Sequence, residues 1–251
     1  MPKKKILVSI AFNNWGLQDK EEKRLTKEWI DYRMEVFQTF TLKSLKNQTN
    51  QDFITFVQYD QRSEELVQDA LNQYEELPEN IKFVKKSAFN TLVNKEVEGH
   101  DYFYLVRIDS DDMYHKDHIE YLHQHDPTNS DTVVITNKVG YIYDAPQDRL
   151  ATIDLPSPPF YTIIYDANEY LEGKRIKLKG HLSVQELPHE EITDRRYLVI
   201  IHQSNTSTSF ENAYDKQEIE DTVEKEEILE WFFGKKKVSW MDKLKSKLFK
   251  R

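Results

Sequence analysis

The sequence predicts an α/β protein in which a mixed sheet is flanked by helices. Two observations predict this class. Strand-like apolar segments alternate with helix-like periodic segments through the first half of the chain, and short acidic or amide stretches follow several of the strand-like segments. Ligands of such folds bind beyond the carboxyl ends of the strands. We therefore expect the polar stretches to meet along one edge of the sheet and to form the functional site there.

The first half of the chain supplies the alternation. Apolar and β-branched residues predict strands, and apolar residues at helical spacing predict helices. The predicted strands cover residues 6–12, 53–58, 81–84 and 101–108, and the predicted helices cover residues 27–45, 63–77 and 113–125. Because helices separate most of these strands, we expect them to run parallel.

The second half of the chain is less regular. The predicted strands here cover residues 132–136, 140–143 and 197–202, and an acidic helix over 215–233 ends at Gly234. Four prolines predict a turn-rich loop over residues 144–159. With no linker before Gly234, we expect one domain over residues 1–234 and a separate tail over 235–251.

A short acidic run is the clearest functional signal. Asp109, Asp111 and Asp112 follow directly after the apolar residues 103–108. Three crowded carboxylates repel one another, and a hard divalent cation relieves that repulsion. The run therefore predicts a Mg²⁺ or Mn²⁺ site that also contacts a substrate phosphate. The alternative is a polar turn with an aspartate cap ahead of the next helix.

Composition narrows the class of protein. The chain has 251 residues, and its aromatic content of 12% indicates a substantial core despite 31% charged residues. The absence of cysteine excludes disulfides and thiolate metal sites, which leaves carboxylates and histidine as metal ligands. No segment has the roughly 20 apolar residues of a membrane-spanning helix, and the apolar run near the first residue is too short for a secretory signal. We expect a cytoplasmic protein.

The tail differs in charge from the body. The net charge is −9, yet residues 235–251 carry eight basic residues against one acidic residue. On a helix, one apolar stripe would form there, consisting of Val238, Met241, Leu244 and Leu248. This basic amphipathic helix predicts peripheral binding to an anionic membrane surface at its inner face. The alternative is a terminal helix docked on the acidic body, and no nucleic-acid partner is expected because the body would repel phosphates.

Several motifs in order along the chain carry a resemblance to a known family. They are Arg33, Thr41-Leu-Lys-Ser-Leu45, Gln48-Thr49, Asp52-Phe53, Asp60, Arg107-Ile-Asp109-Ser-Asp111-Asp112, and His202 followed by Asn205. In these motifs the chain resembles the bacterial putative rhamnosyltransferase family of GT-A glycosyltransferases, over roughly residues 5–210. Lys43 departs from the proline usual in that family. The resemblance implies a GT-A (Rossmann-like) fold.

The resemblance also implies a nucleotide-sugar site. Ala11, Phe12, Asn13 and Asp60 would hold the base and ribose, and Asp109 would lie near the ribose or the metal. Asp111 and Asp112 would bind Mn²⁺ or Mg²⁺, with His202 as a late ligand. Arg33 and Arg107 would neutralise phosphate, although an ion pair with the acidic run is an equal interpretation of Arg107.

Inversion at the sugar requires a base for the acceptor hydroxyl. Glu190, Glu191 and Asp194 form the last acidic cluster before His202 and are the candidates, with His181 as a further pocket residue. The alternative is a solvated turn.

These observations predict a metal-dependent, inverting glycosyltransferase. It would move a sugar, rhamnose by resemblance, from a UDP, dTDP or GDP donor to a glycan or lipid-linked acceptor in polysaccharide biosynthesis. Two alternatives remain at this point. A nucleotidyltransferase would need a Gly- and Lys-rich phosphate loop that residues 6–16 do not contain, and a non-catalytic carbohydrate-binding module would not need the acidic run.

Overall fold

A computed structural model describes residues 2–13, 22–202 and 208–234 of the chain. The strands are β1 (Lys4–Ala11), β2 (Ile54–Tyr59), β3 (Ile81–Lys85), β4 (Tyr102–Asp109), β5 (Met113–Tyr114), β6 (Val134–Asn137), β7 (Val139–Asp144), β8 (Arg149–Asp154), β9 (Tyr161–Asp166), β10 (His189–Ile192), β11 (Tyr197–Ile201) and β12 (Gln217–Glu218). The α-helices are α1 (Lys27–Thr39), α2 (Thr41–Lys46), α3 (Glu64–Leu71), α4 (Phe89–Val97), α5 (His118–Gln124), α6 (Ala167–Leu171) and α7 (Thr222–Phe233).

The larger sheet has seven strands in the order β10-β6-β9-β4-β1-β2-β3. Strands β4, β1, β2 and β3 are parallel, as the alternation of strands and helices predicted. Strand β9 runs antiparallel to both of its neighbours, which makes the sheet mixed. The predicted α/β class with a mixed sheet flanked by helices is therefore confirmed.

Apolar side chains on both faces hold this sheet between helices. Ile6, Val8 and Ile10 of β1 pack on one face in the same cluster as residues of α1 and α3. Leu7 packs on the other face in a cluster that includes residues of α4 and α6. Burial on both faces explains why the central strands are almost continuously apolar.

A second sheet has five strands, and its strand β11 lies next to β5, which follows the acidic run. Its order is β12-β8-β7-β11-β5. Helix α7 covers it through Phe232 and Phe233, which share a cluster with Val36 and Phe40 of the α1–α2 region. Because β5 follows the acidic run and pairs with β11, the two sheets meet at the predicted site.

The predicted single helix over residues 27–45 is wrong in one respect, because it is two helices. The chain breaks at Phe40, whose backbone angles are φ −112° and ψ −74°. Phe40 is fully buried, and the redirected α2 places the Thr41 hydroxyl where it donates to the carbonyl of Asp112 at 2.9 Å. Burial of Phe40 and this contact to the acidic run accompany the change of direction.

Other boundaries also differ from the predictions. The predicted loop over 144–159 contains β8, which pairs antiparallel with β7, and the predicted helix over 113–125 begins with β5 and becomes helical only at His118. The helix predicted over 63–77 ends at Leu71, and the acidic helix predicted over 215–233 begins at Thr222. Strand β9 and helices α4 and α6 were not predicted.

Among the described residues, no helix is long and apolar enough to cross a membrane. The basic tail over residues 235–251 lies outside the described part of the chain, so its predicted helix and its predicted membrane contact remain predictions.

Candidate active site at the end of β4

The acidic run forms a tight turn at the carboxyl end of β4, which is a central strand of the larger sheet. The backbone N–H of Asp112 donates to the carbonyl of Asp109 at 3.3 Å and closes the turn. Strand β5 follows at once and pairs with β11. The turn therefore lies where the larger sheet, the smaller sheet and the α1–α2 corner come together.

Two predicted residues from distant parts of the chain, Arg33 and His202, contact a third, Asp111. Arg33 of α1 donates to Asp111 Oδ2 at 3.0 Å, and His202 Nε2 lies 3.0 Å from the same oxygen. Arg33 also donates to the Ser110 hydroxyl at 2.6 Å. The side chains of Arg33 and His202 are 8% and 0% exposed, so the group is largely shielded from solvent.

The electrostatics of this group keep Asp111 ionised. Burial raises the pKa of Asp111, but the charge of Arg33 and the hydrogen bond from His202 outweigh burial and hold that pKa well below its usual range. Burial lowers the pKa of Arg33, but the charge of Asp111, together with smaller contributions of the same sign, outweighs burial, so the net pKa is raised and the guanidinium stays charged. Asp111 is therefore an ionised carboxylate that is paired with Arg33 and His202.

Tyr32 holds the other side of the His202 ring. Its hydroxyl lies 3.1 Å from Nδ1 of His202, on the helix that also carries Arg33. A hydroxyl can donate or accept, so it can serve either tautomer of the ring. Sequence reasoning missed Tyr32, and its position next to Arg33 was the one available signal.

Asp112 points away from Asp111 and into the protein. Its Oδ1 accepts the backbone N–H of Ile200 at 3.0 Å, and the residue is 6% exposed. Burial, followed by the nearby charges of Asp111 and Asp109, raises the pKa of Asp112 well above its usual range. The crowding of carboxylates that the sequence predicted is therefore present.

Asp109 is held by a different arginine. Its Oδ1 accepts from Arg107 Nη2 at 2.7 Å, and Arg107 also donates to the carbonyl of Pro159 at 2.6 Å. Of the two interpretations of Arg107, the structure shows the ion pair. Asp109 thus lies on the opposite side of the turn from the Arg33 group.

A cavity of about 260 Å³ opens on the sheet face that carries Arg107. It extends across β2, β1, β4 and β9 toward the segment after β3. Its polar and small residues are Ser9, Ala11, Gln58, Lys86, Arg107 and Tyr161. Gln58 donates to the Ser9 hydroxyl at 2.8 Å, and the Arg107 guanidinium lies 5.7 Å from the centre of the Tyr161 ring. Of these residues, only Ala11 and Arg107 were predicted from the sequence as donor-binding residues.

The other residues predicted for the nucleotide are engaged within the protein. Phe12 is fully buried and packs edge-on against Trp29 and Phe83. The Asn13 amide is buried, and its oxygen accepts the backbone N–H of Asp60 at 2.8 Å. Hydrogen bonds from Arg62 lower the pKa of Asp60 to about 2. Asn13 and Asp60 therefore brace the end of β1 against the end of β2, while Asp60 remains at the same edge as the acidic run.

The three candidate bases lie in different places. Glu190 accepts from the backbone and hydroxyl of Thr128, at 3.0 Å each, and pairs with His125. Glu191 lies 3.9 Å from the Lys138 ammonium, and Asp194 pairs with Arg196.

Only Glu191 shares the sheet face that carries the cavity. Strand register pairs Arg107 with Tyr161, Tyr161 with Thr136, and Thr136 with Glu191, and paired residues project from the same face. Three strand spacings separate Glu191 from Arg107, or about 14 Å. Glu190, one residue earlier, projects from the opposite face.

Other predicted residues lie outside what the structure describes. Asn205 in the segment 203–207 and the side chain of His181 both lie outside the described part of the structure.

The residues at Asp111 fit a divalent cation in part. Across residues 2–13, 22–202 and 208–234, no three His, Asp or Glu side chains form a ready-made metal site. Asp111 Oδ2 and His202 Nε2 are nevertheless 3.0 Å apart, and adjacent ligands of an octahedral ion with bonds of about 2.1 Å are separated by about 3 Å. Asp111 Oδ1 has no hydrogen-bond partner in the described part of the chain. These two side chains therefore fit as a pair of neighbouring ligands.

Several solved structures have some similarity to this chain. Residues 1–349 of S. aureus TarS, in complex with UDP-GlcNAc, match at 14% identity and a TM-score of 0.40, over 80% of this chain and 60% of that one. The 4-diphosphocytidyl-2C-methyl-D-erythritol synthase of Anaerococcus prevotii matches at 12% identity and a TM-score of 0.37, over 88% and 93%. A cytidylyltransferase from Leptospira borgpetersenii matches at 11% identity and a TM-score of 0.36, over 78% of each chain.

This chain thus spans 60% of the TarS fragment. TM-scores of 0.40 and below carry no argument about activity. No curated protein matches the sequence. The family comparison is more specific. The sequence model of the family described as "Putative rhamnosyl transferase" matches residues 10–161, which is more than half of the chain and includes Arg33 and the acidic run. The chain therefore belongs to this rhamnosyl transferase family.

Proposed function

We propose that this protein is a metal-dependent glycosyltransferase that moves a sugar from a nucleotide-sugar donor to a glycan or lipid-linked acceptor. The observation that carries the proposal is the meeting of Arg33, Asp111 and His202 at the end of β4. The same strand carries Arg107, which lines a cavity together with a second cationic side chain, Lys86. Membership of the rhamnosyl transferase family supports the reaction class and favours rhamnose as the sugar.

Asp111 and His202 would hold the cation, Mn²⁺ or Mg²⁺, and Asp109 and Asp112 are the further candidate ligands in the same acidic run. When bound, the cation would stabilise the negative charge that develops on the departing diphosphate. Arg33 fixes the orientation of Asp111 and keeps it ionised. Tyr32 fixes the His202 ring.

The cavity beside Arg107 is the proposed place for the donor. Lys86 and Arg107 supply positive charge for phosphate, and the Ser9–Gln58 pair supplies hydrogen-bonding groups for a base or ribose. Asp109 borders this side of the turn through its ion pair with Arg107. UDP, dTDP and GDP are all compatible with these groups.

For the acceptor, we propose an inverting reaction with Glu191 as the base. Glu191 shares the face of the cavity, its side chain is 45% exposed, and its partner Lys138 is at 3.9 Å, so the carboxylate is accessible. Glu190 and Asp194 are each held by shorter contacts elsewhere. A Glu191→Gln variant should bind the donor normally but transfer sugar far more slowly; normal transfer would reject this role.

The basic tail remains a proposed membrane anchor. Its eight basic residues would bring the enzyme to an anionic surface where lipid-linked acceptors are found. Deleting residues 235–251 should weaken binding to anionic vesicles, whereas equal binding would reject the anchor.

The test of the donor site is a thermal-shift screen of UDP, GDP and dTDP sugars, each with and without Mn²⁺. A ligand at 100 times its Kd stabilises the native state by about 2.7 kcal/mol, which corresponds to about 5–11 °C for a chain of this size. Asp111→Asn should abolish the Mn²⁺-dependent part of the shift. Asp69→Asn, at an exposed position of α3, is the matched control and should retain it.

A further inference from the structure

A second cavity, of about 380 Å³, lies away from the candidate active site. It is formed by the chain before β11, the segment between β5 and α5, and the last turns of α7. Its principal lining residues are Asp117, Thr193, Asp194, Arg195, Arg196 and Trp231. Arg196 and His202 lie at opposite ends of β11, six residues apart, so about 20 Å of extended strand separates this cavity from the Asp111 group.

A fixed arginine organises the polar side of this cavity. Arg196 donates to Asp117 Oδ1 at 2.7 Å and to Asp194 Oδ2 at 2.9 Å, and its guanidinium lies 4.1 Å from the centre of the Tyr121 ring. The Asp117 and Asp194 side chains are 43% and 65% exposed. Within the described part of the chain, no hydrogen bond reaches the second oxygen of either carboxylate. The cavity thus presents two oriented hydrogen-bond acceptors.

The same cavity is also lined by an aromatic side chain, Trp231. The Trp231 indole is partly buried and packs edge-on against His115, with ring centres 5.5 Å apart. Its backbone carbonyl accepts from the N–H of Lys116 at 2.9 Å, which fixes the residue relative to the cavity. A partly exposed, immobilised indole offers a flat apolar surface beside the two carboxylates.

The charges in this cavity cancel. Two guanidinium groups, Arg195 and Arg196, line it together with two carboxylates, Asp117 and Asp194. Arg196 contacts both carboxylates, whereas Arg195 donates to the carbonyls of Gly140 and Ile153. Burial lowers the pKa of His115 in spite of the Asp117 carboxylate beside it, so the imidazole adds no charge at neutral pH. An anionic ligand would meet the two carboxylates, and a cationic ligand would meet the two guanidinium groups. A neutral ligand is favoured.

We propose that this cavity is a second carbohydrate-binding site, which holds part of the glycan acceptor at a distance from the point of transfer. Sugar hydroxyls donate to the open oxygens of Asp117 and Asp194, and the C–H face of the ring packs on Trp231. This inference rests on the proposed function for the identity of the glycan as acceptor, but carbohydrate binding at Trp231 does not depend on catalysis.

The test uses the full-length protein and three linear tetrasaccharides, of L-rhamnose, of glucose and of N-acetylglucosamine. Binding is measured by calorimetry and by saturation-transfer NMR. At least one tetrasaccharide should bind, and Trp231→Ala should weaken its binding at least tenfold. Asp194→Ala should also weaken it, and this variant guards against misfolding because Asp194 is largely exposed. Asp69→Asn, at an exposed position of α3, is the control and should bind the tetrasaccharide normally.

Two results would overturn the proposal. One is that none of the three tetrasaccharides binds at millimolar concentration. The other is that binding survives both Trp231→Ala and Asp194→Ala, since the sugar would then occupy a different site. The donor thermal-shift screen on the same variants separates this proposal from the proposed function. Tetrasaccharide binding at Trp231 without any donor binding would leave the cavity as a carbohydrate site and reject the transferase assignment.

Discussion

Replacing Arg33 by methionine should destabilise the protein strongly. Among the described residues, the Asp111 carboxylate contacts the Arg33 guanidinium and the His202 ring. The side chains of Arg33 and Asp111 are 8% and 17% exposed. Removing one partner of a buried ion pair leaves an uncompensated charge and costs about 3–5 kcal/mol. The loss of the Ser110 hydrogen bond falls within the same figure. We therefore expect Arg33→Met to lower the free energy of unfolding by about 3–5 kcal/mol at pH 7 without added metal.

The assay is equilibrium unfolding in urea, and a double variant makes it specific. Arg33→Met combined with Asp111→Asn should be more stable than Arg33→Met alone, because no unpaired carboxylate is left buried. Lys27→Met is the control. Lys27 pairs with Asp31 at 2.6 Å on the same helix, but those side chains are 54% and 36% exposed, so its loss should change the stability far less than the loss of Arg33. A loss below about 1 kcal/mol for Arg33→Met, or strict additivity in the double variant, would refute the reasoning.

Two further predictions concern side chains that the sequence did not single out. Tyr32→Phe removes the hydroxyl at His202 Nδ1 and should weaken Mn²⁺ binding in calorimetry by about 10–100-fold, with little change in unfolding free energy; unchanged affinity would contradict it. Burial lowers the pKa of His118 well below its usual value, so below pH about 6.5 the unfolded chain takes up a proton that the folded protein does not, and stability falls as the pH drops. His118→Phe keeps the stacking on Tyr114 and should reduce that loss between pH 6.5 and 5 in urea titrations, whereas an unchanged slope would exclude His118 as a source.

The parallel half of the fold was predictable from sequence because its physics is local. Strands β1, β2 and β4 are largely buried on both faces, so they appear as apolar runs in the sequence, and helices α1 and α3 carry helical periodicity. The antiparallel strands were harder. Strand β8 lies among turn residues in a proline-rich stretch, and β9 was not predicted, since its pairing with β4 and β6 depends on distant segments.

The candidate site was predictable by residue type and only partly by arrangement. Arg33, Asp111 and His202 were all named, and the structure brings them together because the middle of α1 lies against the ends of β4 and β11. The sequence could not show that Asp112, next to Asp111, turns inward to the N–H of Ile200. Adjacent residues of a turn point in different directions, and only tertiary packing decides which of them faces a ligand.

The candidate bases show the same limit. Glu190 and Glu191 are equivalent in a sequence, but alternation along β10 places them on opposite faces of the sheet. Once the strand is known, one residue of the pair is excluded from the cavity face by geometry alone.

The most direct test of the account is the release of nucleoside diphosphate from UDP, GDP and dTDP sugars by the wild-type protein and by Asp111→Asn, with and without Mn²⁺. The account predicts Mn²⁺-dependent release by the wild type from at least one donor, and a loss of at least about 100-fold for Asp111→Asn. Release that does not require a divalent cation, or that proceeds equally in Asp111→Asn, would contradict the central claim that Asp111 holds the cation for the leaving diphosphate.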